Sequence, residues 1–310
     1  MLVSICVATY KRPEGLKKLL QGINDLCFDQ IPCPVIDVIV VDNEASGSAR
    51  RICDELFSSF RWRLQCFEEP KQGITYARNK AIESIQSSTD FVAFIDDDEV
   101  PDPAWLENLL VVQKKYDADV VSGPVIHDFE VDRVPDWITQ LKLFDTLSYP
   151  DGHLVNEVFT CNVLVSARIF CDVGSFDHKF ALTGGEDTDF FMRVYEAGYK
   201  MHWANRAITY EWVPKERTSV GWNLRRGYRS WGSYSYCEKK WRPSLGVRIA
   251  RLAKAIALIL TGVISFPMSL FLGKTQLIKS LLFIYRGAGT FSGLLDRQYQ
   301  EYAEVAVTDG

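Results

Sequence analysis

Phe91-Val-Ala-Phe-Ile95 runs directly into Asp96-Asp97-Asp98-Glu99. A short apolar run that ends in clustered acids reads as a buried strand delivering carboxylates to a surface. Carboxylates that close repel one another and raise one another's pKa unless something positive lies between them. A hard divalent cation answers that repulsion, and Mg²⁺ typically combines one or two carboxylates with substrate phosphates. Taken alone, the stretch reads equally well as a solvated acidic turn at a strand end. Its surroundings decide between the two.

Upstream of this strand the chain alternates. Leu2–Ala8, Val35–Val41 and Arg63–Phe67 are short apolar strands; Glu14–Ile23, Ser48–Phe57 and Ile74–Ile85 are helical. In the first helix Leu16, Leu19, Leu20 and Ile23 fall on one face, the stripe that packs on a sheet. This rhythm predicts an α/β fold, a mostly parallel sheet covered by helices. Ligands of such sheets bind beyond the carboxyl ends of the strands. At those ends stand Thr9-Tyr10 with Arg12, then Asp42, then Asp96-Asp97-Asp98. Singly each is ordinary: Asp42 can cap a turn, and Arg78 can be a surface charge on its helix.

Downstream, Val120–Val125 and Thr160–Val165 read as strands. Thr183-Gly184-Gly185-Glu186 leads into a helix over Asp187–Ala197. Acids that open a helix are stabilised by its dipole and can simply cap it. The paired glycines free the backbone before them, as a substrate-facing turn requires.

The chain has 310 residues, is 47% hydrophobic and carries a net charge of −5. That fits a globular protein with a sizeable core and gives no basic excess for nucleic acid. The cysteines are scattered without a C-x-x-C, and they read as buried thiols of a reducing compartment. Met1–Ala8 lacks a basic leader, so the folded part of the chain is expected in the cytoplasm.

Taken together, Val3-Ser-Ile-Cys-Val-Ala-Thr-Tyr-Lys-Arg-Pro13, Val40-Val-Asp42-Asn43, Gly73-Ile-Thr-Tyr-Ala-Arg78-Asn79, Phe94-Ile-Asp-Asp-Asp98 and Gly185-Glu-Asp187 resemble glycosyltransferase family two, in that family's order. Leu182-Thr-Gly-Gly-Glu-Asp-Thr-Asp-Phe-Phe191 and Tyr210-Glu-Trp-Val-Pro214 resemble its bacterial succinoglycan-type exopolysaccharide branch. The resemblance covers about residues 1–215 and implies a GT-A fold, with a Rossmann-like, mostly parallel mixed sheet and flanking helices. It implies inverting, metal-dependent transfer of a hexose from a UDP-sugar, UDP-glucose being the candidate. The acceptor would be a polyprenyl-diphosphate-linked oligosaccharide or another glycan of exopolysaccharide or cell-surface polysaccharide synthesis.

The resemblance also implies roles. Thr9, Tyr10, Arg12 and Asp42 would hold uracil and ribose, with Arg78 and Asp97 near the donor. Asp98 would bind Mn²⁺ or Mg²⁺, with Asp96 near the ribose or the metal, and Glu211 would complete that site, because a carboxylate suits these ions better than the imidazole of His202. Asp187, beside Glu186, would be the general base. These roles agree with what inversion needs: one base for the acceptor hydroxyl, and positive charge at the departing diphosphate. Arg225 or Arg226 is a candidate to close over that diphosphate, although a basic surface helix is the competing reading. Gly227-Tyr-Arg229-Ser-Trp231 lacks the Gln of the family's processive Q-x-x-R-W motif, which favours one sugar added per acceptor.

Near residue 240 the chain changes character, so 1–240 is read as the catalytic domain and 241–310 as an apolar helical region. Ala255–Gly273 is free of charge and just long enough to span a bilayer. Pro267 and two glycines disfavour a straight span. Arg248, Arg251 and Lys254 share a face, as in a helix lying in the membrane surface. In-plane attachment at the cytoplasmic side of a bacterial inner membrane is therefore expected first, a true span second and burial against the catalytic domain third, and deletion beyond about residue 245 is expected to leave a soluble, nucleotide-binding protein. Two other functions compete. A sugar nucleotidyltransferase would need a Gly-rich N-terminal loop, which Ala8-Thr-Tyr-Lys-Arg12 replaces. A non-catalytic, glycosyltransferase-like binding or scaffold protein would have no need of both Asp98 and Asp187.

Overall fold

The structure, a computed structural model, describes residues 1–44 and 47–300. Its elements in chain order are β1 (Leu2–Thr9), α1 (Pro13–Asn24), β2 (Val35–Asp42), α2 (Ser48–Leu56), β3 (Arg63–Glu68), α3 (Ile74–Glu83), β4 (Phe91–Ile95), β5 (Glu99–Pro101) and α4 (Trp105–Tyr116). They continue with β6 (Val120–Ser122), β7 (Val125–Phe129), α5 (Asp136–Gln140), β8 (Asn162–Ser166), α6 (Arg168–Asp172), α7 (Glu186–Glu196), β9 (Met201–Trp203), β10 (Thr209–Val213), α8 (Val220–Trp241), α9 (Leu245–Leu272) and α10 (Lys274–Leu294).

The main sheet has the order β3-β2-β1-β4-β8-β6-β9, and a smaller one has the order β5-β10-β7. β1 lies parallel between β2 and β4, while β8 runs antiparallel to β4 and β6. This is the expected mostly parallel mixed sheet. Val3, Ile5 and Val7 of β1 point to one face and are fully buried with Leu16, Leu19, Leu20 and Ile23 of α1. Each such leucine contributes roughly 1.5–3 kcal/mol by leaving water. The strand expected over Val120–Val125 is instead two elements. Gly123 interrupts it, where a Cβ would lie 2.2 Å from the Ala207 carbonyl oxygen, and Pro124 has no N–H for a ladder.

The chain forms two compact units. One comprises Met1–Ile126, Thr146–Leu182 and Arg193–Glu211; the other comprises His127–Asp145, Thr183–Met192 and the chain from Trp212 onward. The first holds the main sheet. In the second, α10 packs along both α8 and α9. Backbones approach closely there: a Cβ on Gly289 would lie 2.0 Å from the Tyr228 carbonyl oxygen, and one on Gly287 2.8 Å from that of Ala255. Ile278 and Leu282 of α10 join Trp137, Ile138 and Leu224 in a core of their own. A boundary near residue 240 falls between α8 and α9, yet α10 contributes directly to the packing of α8.

Among the described residues α9 is the one helix long and apolar enough to cross a membrane by length and composition, with a mean hydropathy of 2.2 over its most apolar window. Little of that window is buried in the protein. Leu245, Ile249, Ile256, Leu260, Ile264, Met268 and Phe271 are all exposed. Of the cysteines, Cys6, Cys53, Cys66 and Cys237 are buried as expected, whereas Cys33 and Cys171 are exposed.

Candidate active site

Parallel register sets the site of the first unit. β1 and β2 pair Thr9 with Asp42, and β2 and β3 pair Asp42 with Glu68, so these strands end level. β1 and β4 pair Cys6 with Phe94. Continuing three residues along both strands brings Thr9 beside Asp97, and the Thr9 hydroxyl donates to Asp97 Oδ2 at 2.8 Å.

Asp97 is the hub of the acidic turn. It is buried. Its carboxylate accepts from Thr9, from the Tyr10 N–H at 3.4 Å and from Arg12 Nη1 at 2.9 Å. The same Arg12 nitrogen donates to Asp98 Oδ2 at 2.8 Å. Burial pushes the Asp97 carboxyl up, while Arg12 and Thr9 oppose that shift. Burial lowers the Arg12 guanidinium, but attraction to Asp97 and Asp98 outweighs it and the net shift is upward. The loop joining β1 to α1 is also under local strain, because Lys11 has φ 54°. α1 presses on the turn: a Cβ on Gly15 would meet the Asp97 carbonyl oxygen at 2.4 Å.

Asp96 accepts from Arg78 Nη2 at 2.8 Å, and Arg78 is buried. Arg78 therefore sits beneath the acidic turn, not on the surface. Asp42 caps its own loop, with Oδ1 accepting from the Glu44 N–H at 2.9 Å and Oδ2 from the Ala49 N–H at 3.1 Å. Burial pushes its carboxyl up against those two backbone bonds.

Glu99, fully buried on β5, faces Glu211 of β10 in register. Its carboxyl is pushed well above the usual range, first by burial and then by Asp96, Asp98 and Glu211. Asp96, Asp98, Glu99 and Glu211 thus share one crowded, negatively charged neighbourhood, the electrostatic setting that a divalent cation relieves. Among the described residues, no group of three or more His, Cys, Asp or Glu converges on a single point.

Asn43, which nothing in the sequence marks out beyond its place after Asp42, organises the neighbouring loop. Its Nδ2 donates to the carbonyls of Glu69 and Lys71 at 2.7 and 2.8 Å, and its Oδ1 accepts from the Gly73 N–H at 2.8 Å. It pins the loop after β3, from which Gln72 donates to the Tyr10 hydroxyl at 3.2 Å. Gly73, at φ 135°, is left no room for a side chain by Ala181, 2.7 Å from its Cβ position.

Glu186, Asp187 and Arg226 lie in the second unit. Gly184 and Gly185, at φ 69° and 88°, make the left-handed turn into α7. Glu186 is buried, and the Asp187 carboxylate accepts from the Thr188 N–H at 2.6 Å. Asp189, which sequence reasoning passed over, is fully buried and accepts from Lys240 Nζ at 2.8 Å and Trp241 Nε1 at 2.9 Å. Arg226 lays its guanidinium 5.1 Å from the Phe144 ring centre and 5.2 Å from that of Trp222.

The chain matches the family described as Glycosyl transferase family 2 over residues 4–170, and Glycosyl transferase family group 2 over residues 91–292. The succinoglycan biosynthesis protein ExoM of Rhizobium meliloti (strain 1021) is 32% identical over 74% of this chain and 72% of its own length. Among solved structures, the mannosyltransferase PcManGT from Pyrobaculum calidifontis, in complex with GDP-Man and Mn²⁺, is similar with a TM-score of 0.63. It is 18% identical, over 96% of this chain and 88% of that one. S. aureus TarS 1-349 in complex with UDP-GlcNAc is similar with a TM-score of 0.53 at 14% identity, over 96% and 93% of the two chains. At these identities the two structures speak for the fold alone. With the family matched over more than half its length and a relative at this identity, the chain belongs to glycosyl transferase family 2, as a glycosyltransferase on a GT-A-type fold.

Proposed function

We propose that this glycosyltransferase moves a hexose from a UDP-sugar, with UDP-glucose the candidate, to a lipid-linked glycan in exopolysaccharide synthesis, with inversion and with a divalent metal. The observation that carries this reading is the strand-end cluster, in which Arg12 ties Asp97 and Asp98 to the β1 loop while Glu99 and Glu211 crowd the same turn. The ExoM relative is named for succinoglycan biosynthesis, which supports an exopolysaccharide context.

In this reading Tyr10 offers its ring to the nucleotide base. Thr9, Arg12 and Asp97 hold the loop that carries Tyr10, and Asp42 shapes the adjoining loop that receives base and ribose. Arg78 fixes Asp96. Asp98 and Asp96 would hold Mn²⁺ or Mg²⁺ together with the donor diphosphate, Glu211 lying in the same acidic neighbourhood, and the ion when bound neutralises charge growing on the leaving group. Asp187 takes the proton of the attacking acceptor hydroxyl, with Glu186 beside it, and Arg226 adds positive charge toward the diphosphate. α9 lies in the cytoplasmic face of the membrane, its exposed apolar stripe in the lipid and its other side on α10.

The test is thermal stabilisation by UDP, GDP and CMP, each with Mn²⁺ or with EDTA, on the wild type and Asp98→Ala. A ligand that binds only the folded state, at a hundred times its Kd, adds about 2.7 kcal/mol. UDP stabilisation that requires both Mn²⁺ and Asp98 is expected. Stabilisation by GDP in place of UDP would reassign the donor, and no stabilisation by any nucleotide would favour a non-catalytic binding protein.

A further inference from the structure

The described residues of the second unit contain a cavity of about 720 Å³, at the ends of α8 and α10 and the start of α9. That volume suits a ligand of moderate size. Lys239, Lys240 and Arg248 line it, with Asp296 as the one carboxylate. Lys239 is held by the Leu294 carbonyl at 2.9 Å and by Asp296 at 2.5 Å. Lys240 is held by Asp189. The Arg248 side chain is exposed and has no ion-pair partner among the described residues.

The rest of the wall is apolar. Leu252, Phe291 and Leu295 line the cavity and are still 40%, 43% and 51% exposed. Along α9, Ile249 and Ile256 stand three residues before and four after Leu252, so the cavity opens onto the exposed stripe of that helix. No acidic residue occurs between Glu238 and Asp296, a stretch that carries Arg248, Arg251, Lys254, Lys274 and Lys279.

We propose that this cavity binds the phosphate or diphosphate head of a membrane lipid. Arg248 and the two lysines face the head, and the chain lies along Leu252, Phe291 and Leu295. A free inorganic anion would use the cations and leave the apolar wall wet, whereas an amphiphile uses both. Lys240, which lines the cavity, also donates to Asp189, two residues beyond Asp187. The inference rests on the membrane-surface and lipid-acceptor reading above.

Flotation of the full-length protein tests it, with phosphatidylcholine vesicles that are plain, doped with phosphatidylglycerol, or doped with a polyprenyl phosphate. The variants are Arg248→Glu and, as a charge-matched change elsewhere on the helical pair, Lys279→Glu. Phosphate-bearing vesicles should bind the wild type more tightly than plain ones. Arg248→Glu should weaken that preference about tenfold and Lys279→Glu about twofold at most. Tighter capture by the polyprenyl phosphate assigns the site to the acceptor, and equal capture assigns it to bulk phospholipid; both outcomes support a lipid head. Equal losses in the two variants would mean surface potential alone and overturn the site. Sodium diphosphate binding as tightly as the vesicles would also overturn it, as a site for free anions. Stabilisation by UDP with Mn²⁺, measured on each variant, reports folding and separates the two readings. If UDP stabilises every form but Arg248→Glu floats as the wild type does, the lipid site falls alone. If Arg248→Glu loses binding but UDP stabilises nothing, the donor reading falls and the lipid site stands.

Discussion

Glu99→Gln should stabilise the metal-free protein, increasingly so as pH rises. Glu99 is fully buried, with Asp96, Asp98 and Glu211 around it, and its carboxyl is held well above the usual range by burial and by those neighbours. In the unfolded chain it ionises near pH 4.3. The folded state therefore keeps a proton that the unfolded state releases. Stability falls as pH rises above the unfolded value and levels off beyond the folded one, by about 1.4 kcal/mol per pH unit in between. Glutamine is isosteric, does not titrate and can still accept the long 3.4 Å bond from the Asp96 N–H. The gap between variant and wild type should widen by roughly 2–4 °C for each kcal/mol. Melting curves in EDTA at pH 5, 6 and 7 read it. A gap that stays constant with pH, or a variant less stable than wild type at pH 7, would mean that Glu99 is ionised in the fold and would refute the crowded-carboxylate argument.

Gly15→Ala should cost about 1–3 kcal/mol through overpacking, because its Cβ would lie 2.4 Å from the Asp97 carbonyl oxygen; urea midpoints check it. Thr9→Val leaves a buried Asp97 oxygen without its 2.8 Å donor, a loss of about 1–3 kcal/mol, and should weaken UDP stabilisation as well. Lys240→Met removes the ammonium from fully buried Asp189 and should destabilise by about 3–5 kcal/mol, measured by urea unfolding, with Lys240→Arg recovering part of the loss. Deletion beyond residue 245 strips Ile278 and Leu282 from Trp137, Ile138 and Leu224. The truncated protein should therefore unfold at a lower urea concentration than the full chain.

The alternation of apolar runs and amphipathic helices was enough to place β1 to β4 and α1 to α3 within a residue or two, because burial on a sheet imposes a periodicity that the chain itself carries. The polar residues at the strand ends, Thr9, Asp42 and Asp96–Asp98, are likewise legible in the sequence. Tertiary structure alone decided which acid does what in the turn. Sequence offers Asp96, Asp97 and Asp98 as neighbours of equal chemistry; parallel register puts Asp97 beside Thr9, Arg12 bridges Asp97 and Asp98, and Arg78 rises from a helix eighteen residues earlier to meet Asp96. Glu99 looked like one more acid until β10 brought Glu211 across from it. Asp189 gains its Lys240 and Trp241 partners only when α8 packs beside α7. Local pattern records which face of an element is buried. It does not record which distant side chain meets a buried charge, since that pairing is fixed only when elements far apart in the chain pack together.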